Sequence, residues 1–235
     1  MSFYDTLSKY YDTIFPLNSY TLSMLEKNLK GKKTLLDIAC GSGTYSIELE
    51  KLGHKVTAID LDVEMIEKAR KKSNGSIEYI TMNMLDIDKI NGKFDGIFCI
   101  GNSLVHLDNM KEIEDFFGKV YKLLEDNGIF IFQIINYDRI LKNNIEGLPT
   151  IKRETEGITF ERKYSRVDGK INFKGIITVE NGERFENVVE LYPLRGEEIK
   201  NIIEKVGFKD YKIFGSFKEE EREENSMATV VVAYK

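Results

Sequence analysis

The chain has 235 residues and a formal net charge of −5, with 42% hydrophobic and 31% charged residues. This length suits one large domain, or one domain with a modest insertion. The hydrophobic fraction is high enough to bury a core, so disorder along the whole chain is excluded. An acidic chain also lacks the broad positive field that holds a nucleic-acid backbone, so a nucleic-acid partner is not expected.

Metal centres, disulfide scaffolds and membrane segments are not expected either. The two cysteines, Cys40 and Cys99, stand outside any CxxC or Cys/His cluster. No apolar run approaches the roughly 20 residues that span a bilayer. Residues 1–5 lack the basic and apolar regions of a signal peptide. We therefore predict a cytoplasmic protein that binds no metal and no membrane.

The first half of the chain alternates short apolar strands with amphipathic helices. Continuous apolar strands separated by helices are typical of a parallel sheet that is covered on both faces. The predicted strands are 34–39, 55–60, 77–81, 94–100 and 129–135, and the predicted helices are 44–52, 63–72 and 111–125.

The pattern changes in the second half to three strands of period two between residues 157 and 192. Asp168-Gly169 and Asn181-Gly182 are two-residue hairpin signals between these strands. An antiparallel meander is therefore inserted into an α/β chain. A helix over 196–206 and strands over 208–214 and 228–234 follow, and the mostly acidic run 218–224 between those strands is interpreted as a solvated loop.

A glycine loop follows the first predicted strand. Gly41 and Gly43 allow a tight turn, and the helix N-terminus that follows favours a negative group. The dinucleotide fingerprint GxGxxG is incomplete, because Ala39 stands at its first glycine and the third glycine is absent. Asp37, inside the strand end, would repel a pyrophosphate and suits a ligand with an ammonium group.

The second strand ends in Asp60, where a carboxylate can accept both hydroxyls of a ribose. Asp37 and Asp60 together indicate a site for a nucleoside with a cationic or zwitterionic tail, which is the shape of S-adenosylmethionine. The alternative is an ordinary glycine turn, with Asp60 capping the next helix.

With these motifs the chain resembles the class I S-adenosylmethionine-dependent methyltransferases. Residues 35–43, 56–60 and 81–86 resemble the first, second and third motifs of that family. The resemblance implies a Rossmann-like seven-stranded mixed sheet with helices on both faces, in the order 3-2-1-4-5-7-6 with strand seven antiparallel. We expect four parts: an N-terminal helical cap (1–30), the cofactor-binding core (31–145), the antiparallel insertion (146–195) and the end of the core sheet (196–235).

The resemblance also implies which residues bind the cofactor. Asn83 would meet the adenine edge, and Met84 and Leu85 would cover its face. The N-terminal segment 3–15 resembles the family's cap, whose tyrosines close over the cofactor. The alternative is that the tyrosines of this segment are packing residues of an amphipathic helix. The expected cofactor residues are Tyr4, Tyr11, Asp37, Ala39, Gly41, Gly43, Asp60, Leu61, Asn83, Met84, Leu85, Ile100, Asn102 and Ser103.

Two further segments, 94–106 and 134–141, resemble glycine N-methyltransferase and related small-amine methyltransferases. By this resemblance Asn102 reaches the substrate as well as the cofactor. His106, just beyond the fourth strand, is either a general base, a cofactor contact or a residue of the rim. Those enzymes hold the substrate carboxylate with an Arg just before Asn-Tyr-Asp, where this chain has Ile135, so an amino-acid substrate would require another cation.

Methyl transfer to a small amine or hydroxyl is therefore the leading functional hypothesis. The alternatives are a methyltransferase for RNA or protein, a non-catalytic module that binds the cofactor, and a nucleotide-dependent oxidoreductase. The insertion is expected to form a substrate lid or an oligomer contact, and a homodimer is possible. Its aromatic and Arg side chains suit a planar or anionic acceptor: Phe160, Arg162, Tyr164, Arg166, Phe173 and Phe185.

Overall fold

The structure is a computed structural model that describes the backbone of residues 3–235 and the side chains of residues 5–235. Its helices are α1 (Phe3–Ile14), α2 (Ser19–Leu29), α3 (Thr44–Lys51), α4 (Val63–Lys72), α5 (Met110–Leu123), α6 (Tyr137–Lys142) and α7 (Gly196–Val206). Its strands are β1 (Thr34–Ile38), β2 (Lys55–Asp60), β3 (Glu78–Thr81), β4 (Phe94–Cys99), β5 (Leu124–Ile135), β6 (Gly147–Arg153), β7 (Ile158–Val167), β8 (Lys170–Thr178), β9 (Arg184–Leu191), β10 (Asp210–Phe214) and β11 (Ala228–Tyr234).

Seven strands form one mixed sheet in the order β10-β11-β5-β4-β1-β2-β3. Strands β1 to β5 pair in parallel, whereas β11 is antiparallel to both β5 and β10. The predicted fold class and strand order are therefore confirmed. The chain order reverses between β1 and β4, which is the position where open α/β sheets bind ligands at the carboxyl ends of their strands.

Both faces of this sheet are buried. On one face, α5 packs Phe116 and Phe117 against Phe130 and Phe132 of β5, with ring centroids 5.3–6.2 Å apart. On the other face, α2, α3 and α4 cover a second apolar core. Because every central strand is covered twice, its side chains are apolar in an unbroken run, which is the pattern that the sequence shows.

A second, four-stranded antiparallel sheet has the order β6-β7-β8-β9. The three strands predicted between residues 157 and 192 are confirmed as β7, β8 and β9, and β6 is an additional strand before them that was not predicted. The turn Asp168-Gly169 is the expected two-residue hairpin, and both of its residues have positive φ. The turn at Asn181-Gly182 is longer, since Val179 pairs with Glu183 around three residues.

Smaller differences concern the fifth strand and the helix before it. Strand β5 begins at Leu124 instead of residue 129, and α5 accordingly ends at Leu123. In the part of the chain that the structure describes, no helix combines the length and the apolar character needed to cross a membrane.

Candidate active site

A single cavity of about 690 Å³ lies at the carboxyl ends of β1, β4 and β5. It begins at the glycine loop after β1 and extends to the inner face of the four-stranded sheet, with α1 along one side. Its wall includes the following residues: Tyr11, Phe15, Asp37, Ala39, Cys40, Tyr45, Ile100, Asn102, Ser103, His106, Gln133, Ile135, Arg153, Phe160, Arg162, Tyr164, Phe173, Asn187, Val189 and Phe217.

The glycine loop needs its glycines for both conformation and space. Gly41 and Gly43 have φ values of +55° and +72°, in the left-handed region that other residues rarely adopt. A Cβ on Gly43 would lie 2.7 Å from the hydroxyl of Tyr79, which is closer than such atoms approach. A side chain is therefore excluded at Gly43, and the loop can bring its backbone N–H groups close to a ligand.

Asp37 is a carboxylate enclosed at the end of β1. It is 3% exposed, lines the cavity, and accepts a hydrogen bond of 2.5 Å from the hydroxyl of Ser46. Burial raises the pKa of Asp37 to about 7, the charge of Asp60 adds to this effect, and the bond from Ser46 opposes it. Since Asp37 has no cationic partner among the described residues, this buried carboxylate favours a ligand that brings a positive group.

Asp60, at the end of β2, organises the loop from the other side. Its two oxygens accept hydrogen bonds from the backbone N–H of Gly41 at 2.7 Å and of Asp62 at 2.9 Å. Burial raises the pKa of Asp60 also. The alternative that Asp60 caps the next helix is wrong, because Asp62 accepts the N-terminal bonds of α4.

Asp60 does not line the cavity, whereas Tyr11 lies between the cavity and the glycine loop that Asp60 contacts. Two ring carbons and the hydroxyl oxygen of Tyr11 lie within 3.3 Å of where a Cβ on Gly41 would be. Burial raises the pKa of Tyr11, and the charge of Asp60 raises it further. Tyr11 therefore covers the glycine loop at Gly41. The side chain of Tyr4 lies outside the described residues.

Helix α1 is fixed over the loop by polar contacts at both of its sides. Asp12 accepts from Ser42 and forms ion pairs with Lys68 at 3.1 Å and Lys72 at 3.0 Å. Arg153 of β6 donates to the carbonyls of residues 13 and 14 at the end of α1. Helix α1 thus contacts the glycine loop, α4 and the four-stranded sheet.

The residues predicted around adenine lie beyond β2 and β3, outside the cavity. Leu61 is 69% exposed. Asn83 accepts from the backbone N–H of Leu85 at 2.9 Å and so begins a 3₁₀ helix. Met84 and Leu85 are half-buried against the core. The structure therefore divides the predicted site into a surface part at β2 and β3 and an enclosed part at β1 and β4.

The residues predicted after β4 all line the cavity. Asn102 has a φ of +69°, accepts from the backbone N–H of Ile135 at 2.9 Å, and donates to the hydroxyl of Tyr137 at 3.2 Å. Both ends of its amide are thus engaged in holding the loop against β5. His106 lies at the exposed rim, and partial removal of water lowers its pKa. It is therefore neutral near pH 7.

Four of the predicted insertion residues face the cavity: Phe160, Arg162, Tyr164 and Phe173. The other two do not. Arg166 donates to the carbonyls of residues 140 and 141, and Phe185 is outside the wall. Asn187 and Val189, which sequence reasoning missed, share the inner face by the period-two alternation of β9. Phe217, in the loop before β11, had no sequence signal.

Known proteins resemble this chain in sequence and in fold. A family model described as a methyltransferase domain matches residues 35–128. A glycine/sarcosine N-methyltransferase from Aphanothece halophytica is 29% identical over 199 residues, covering 82% of this chain and 73% of the relative. The CcbJ methyltransferase of Streptomyces caelestis has a TM-score of 0.84 at 18% identity, covering 99% and 97% of the two chains.

A solved S-adenosylmethionine-dependent methyltransferase from Clostridium acetobutylicum ATCC 824 has a TM-score of 0.81 at 19% identity and covers 98% of each chain. At such identities the solved structures show a shared fold, and the match to the family model shows the methyltransferase domain within residues 35–128. Residues 35–128 thus match a methyltransferase domain, in a chain that is similar in sequence to a glycine/sarcosine N-methyltransferase and shares the fold of an S-adenosylmethionine-dependent methyltransferase.

Proposed function

We propose that the chain transfers the methyl group of S-adenosylmethionine to the nitrogen of a small-molecule amine. The observation that carries this proposal is the single cavity of about 690 Å³, which joins Asp37 to the inner face of the four-stranded sheet. This volume is that of a small-ligand site. The resemblance to a glycine/sarcosine N-methyltransferase favours an amine over a hydroxyl group as acceptor.

The residues of the loop fit the cofactor. Asp37 offers a buried carboxylate to the ammonium group of its methionyl tail. Each oxygen of Asp60 accepts one backbone bond and retains a second lone pair for a ribose hydroxyl. Ala39, Gly41 and Gly43 bring the backbone close to the ligand. Tyr11 covers the glycine loop at Gly41, so a cofactor that reaches both carboxylates must contact or displace its ring.

The other predicted residues receive matching roles. Asn83 would face the adenine edge, with Leu61, Met84 and Leu85 around the ring. Ile100 and Ser103 would line the passage between cofactor and acceptor. Asn102 is proposed as a positioning residue, because both ends of its amide already hold the loop after β4.

S-adenosylmethionine would supply a methyl group bonded to a positively charged sulfur. The lone pair of the acceptor nitrogen attacks the methyl carbon in line with the sulfur, and the sulfur leaves as a neutral thioether. The chain aligns the acceptor, excludes water and keeps the amine unprotonated. Helix α1 and the four-stranded sheet enclose the cavity. Arg153 of that sheet holds the two together by donating to the carbonyls at the end of α1. His106 is neutral and lies at the rim, where it can accept the proton that the amine releases.

A small acceptor fits this enclosure better than RNA or a folded protein does. Phe160, Tyr164 and Phe173 of the insertion close the far end of the cavity, so the reacting methyl would lie behind a wall. The net charge of −5 adds a repulsive field toward nucleic acid. The cytoplasmic location and the homodimer stay predictions, for which cell fractionation and size-exclusion chromatography are the direct measurements.

The proposal is tested by measuring S-adenosylhomocysteine release with a panel of small amines, phenols and carboxylates. We expect turnover of at least one amine. A His106→Gln variant should lower kcat and weaken its pH dependence, with cofactor affinity unchanged by calorimetry. Tight cofactor binding without transfer to any panel member would instead favour a non-catalytic module, and transfer confined to RNA or protein would contradict the small acceptor.

A further inference from the structure

The inner face of the four-stranded sheet carries Arg162, a cation with an unpaired side-chain nitrogen and no ion pair among the described residues. Along β7, Phe160, Arg162 and Tyr164 point to the cavity by the period-two alternation of the strand. Arg162 is half-buried between the two aromatic residues. Directly across from it on β8 stands Gly175, which places no side chain on this face. The guanidinium group therefore has aromatic side chains on either side along β7, and Asn187 of β9 stands beyond Gly175 in the same row of the sheet.

Its hydrogen bonds are incomplete. One terminal nitrogen of Arg162 donates to the carbonyl of Pro149 at 2.5 Å, while its Nε is buried without a partner among the described residues. Burial lowers the pKa of Arg162. A buried Arg nitrogen without an acceptor is costly in a folded protein, and most such groups are paired.

On the outer face of the same sheet, by contrast, the lysines form ion pairs. Lys163, Lys170 and Lys174 have Glu partners at 3.1, 2.9 and 2.8 Å. No carboxylate within the described part of the chain lies in ion-pair distance of Arg162. The other arginine of the cavity wall, Arg153, already donates to three backbone carbonyls. Within the described residues, Arg162 is thus the arginine of the cavity wall that has neither an ion pair nor a full set of hydrogen-bond acceptors.

We infer that Arg162 binds a carboxylate group of the methyl acceptor, which makes the acceptor a small amine that also carries a carboxylate. This inference rests on the proposed function. A planar carboxylate matches the fork of a guanidinium and supplies the missing charge. The single positive charge of one guanidinium suits a singly charged group better than a phosphate dianion. Asp37, the buried acid of the wall, lies at the opposite end near the glycine loop.

The position differs from the one expected by resemblance. Ile135 stands where related enzymes place their carboxylate-binding Arg, and it too lines the cavity. Arg162 would reach the acceptor from the inserted sheet instead of from the end of β5. The inserted sheet, and not the core, would then decide which acceptors enter.

Calorimetric titrations test the inference directly. The protein saturated with S-adenosylhomocysteine is titrated with glycine, sarcosine and N,N-dimethylglycine, with their carboxamides and with inorganic phosphate. We expect at least one carboxylate to bind, with its carboxamide weaker by about 10-fold or more, in line with the strength of charge-assisted bonds. Failure of every carboxylate to bind, or tighter binding of the amides or of phosphate, overturns the inference.

Variants assign the effect to one side chain. Arg162→Gln should weaken carboxylate binding by about 10- to 100-fold and leave amide binding unchanged, while Arg162→Lys should retain part of it. Lys163→Gln removes the same charge from the outer face of the same strand and should change nothing. Equal loss in both variants, or in both ligand types, contradicts the assignment. Circular dichroism checks that each variant is folded.

The outcome is separable from that of the proposed function. If neutral amines are methylated and amines that carry a carboxylate are neither bound nor methylated, the role of Arg162 is contradicted and the proposed function stands. Absence of any methyl transfer would sink the proposed function, and the titrations with S-adenosylhomocysteine would still decide what Arg162 binds.

Discussion

Replacing Asp37 by Asn should stabilise the folded protein at neutral and alkaline pH while impairing cofactor binding. Asp37 is 3% exposed, and its one hydrogen-bond donor among the described side chains is Ser46. Burial raises its pKa from the ordinary value of 3.8 to about 7, with the charge of Asp60 adding to this effect. The folded protein therefore holds this proton more tightly than the unfolded chain does.

The sign of the pH dependence follows from this difference. Below pH 4 the carboxyl is protonated in both states and contributes no penalty. As pH rises from about 4 to about 7, the unfolded chain releases the proton and the folded one retains it, so the free energy of unfolding falls. The raised pKa corresponds to at most ~4 kcal/mol, all of it present above pH 7. The neutral amide of Asn carries no such penalty.

Urea unfolding of both proteins, followed by far-UV circular dichroism between pH 5 and 8, measures the effect. The advantage of Asp37→Asn should grow with pH. Asp95→Asn is the matched control on the same sheet. Burial raises the pKa of Asp95, but bonds from Thr34 and Lys33 lower it more. Its charge therefore stabilises the fold above the unfolded pKa, and its loss should destabilise at pH 7.

A gain for Asp37→Asn that does not depend on pH, or no gain at pH 8, would refute the reasoning. Calorimetry supplies the second readout. Without the carboxylate, the ammonium of S-adenosylmethionine loses its partner, and affinity should fall by about 1.5–3 kcal/mol. An unchanged affinity would show that Asp37 shapes the loop without touching the ligand.

Three further changes test other parts of the site. Asp60→Ala should weaken cofactor binding by roughly 1–3 kcal/mol in calorimetry if both ribose bonds form, and unchanged affinity contradicts that role. Gly43→Ala should destabilise by about 1–3 kcal/mol in urea unfolding, because its Cβ meets the hydroxyl of Tyr79 at 2.7 Å. Gly53→Ala, also at positive φ but with no atom within 4 Å, should cost less, and equal losses would point to backbone strain alone. Arg153→Met removes the donors to two carbonyls of α1 and should speed proteolysis of the N-terminal segment, whereas unchanged cleavage would show that α1 is held by other contacts.

The fold class followed from local patterns. Continuous apolar runs predict strands buried on both faces, and the glycines after β1 predict the turn into α3. Asp62 begins α4 as its N-cap and accepts from the backbone N–H groups of Glu64 and Met65, which is the usual role of an Asp before a helical pattern. These features depend on residues close together in sequence, so they can be inferred without a structure.

Strand β6 was missed for an identifiable reason. Pro149 lies within it, at the irregularity where the pairing with β7 shifts between Leu148 and Ile151. A proline normally argues against a strand, and it is tolerated here because β6 is at the edge of its sheet. Edge position is a property of the assembled sheet, so the sequence pattern could not indicate it.

The acidic run 218–224 shows the same limit. It was interpreted as a solvated loop, yet Arg222 donates to Asn136 at 2.7 Å and to Thr229 at 2.9 Å and pairs with Asp138 at 2.5 Å. A charge pattern reports the character of a segment but not a partner more than 80 residues away. The contact ties the loop to the start of α6 beside the cavity.

By itself, the sequence determined the alternation of strands and helices in the core, the glycine loop and the two carboxylates at the ends of β1 and β2, while the strand order was implied by the resemblance to a family. Only the tertiary structure decided which side chains share one enclosure. It placed Tyr11 over the glycine loop and left Asp60 outside the cavity wall. It also turned Arg162 inward with an unpaired side-chain nitrogen. Periodicity fixes the face on which a side chain lies, whereas burial and pairing depend on what the folded chain brings against that face.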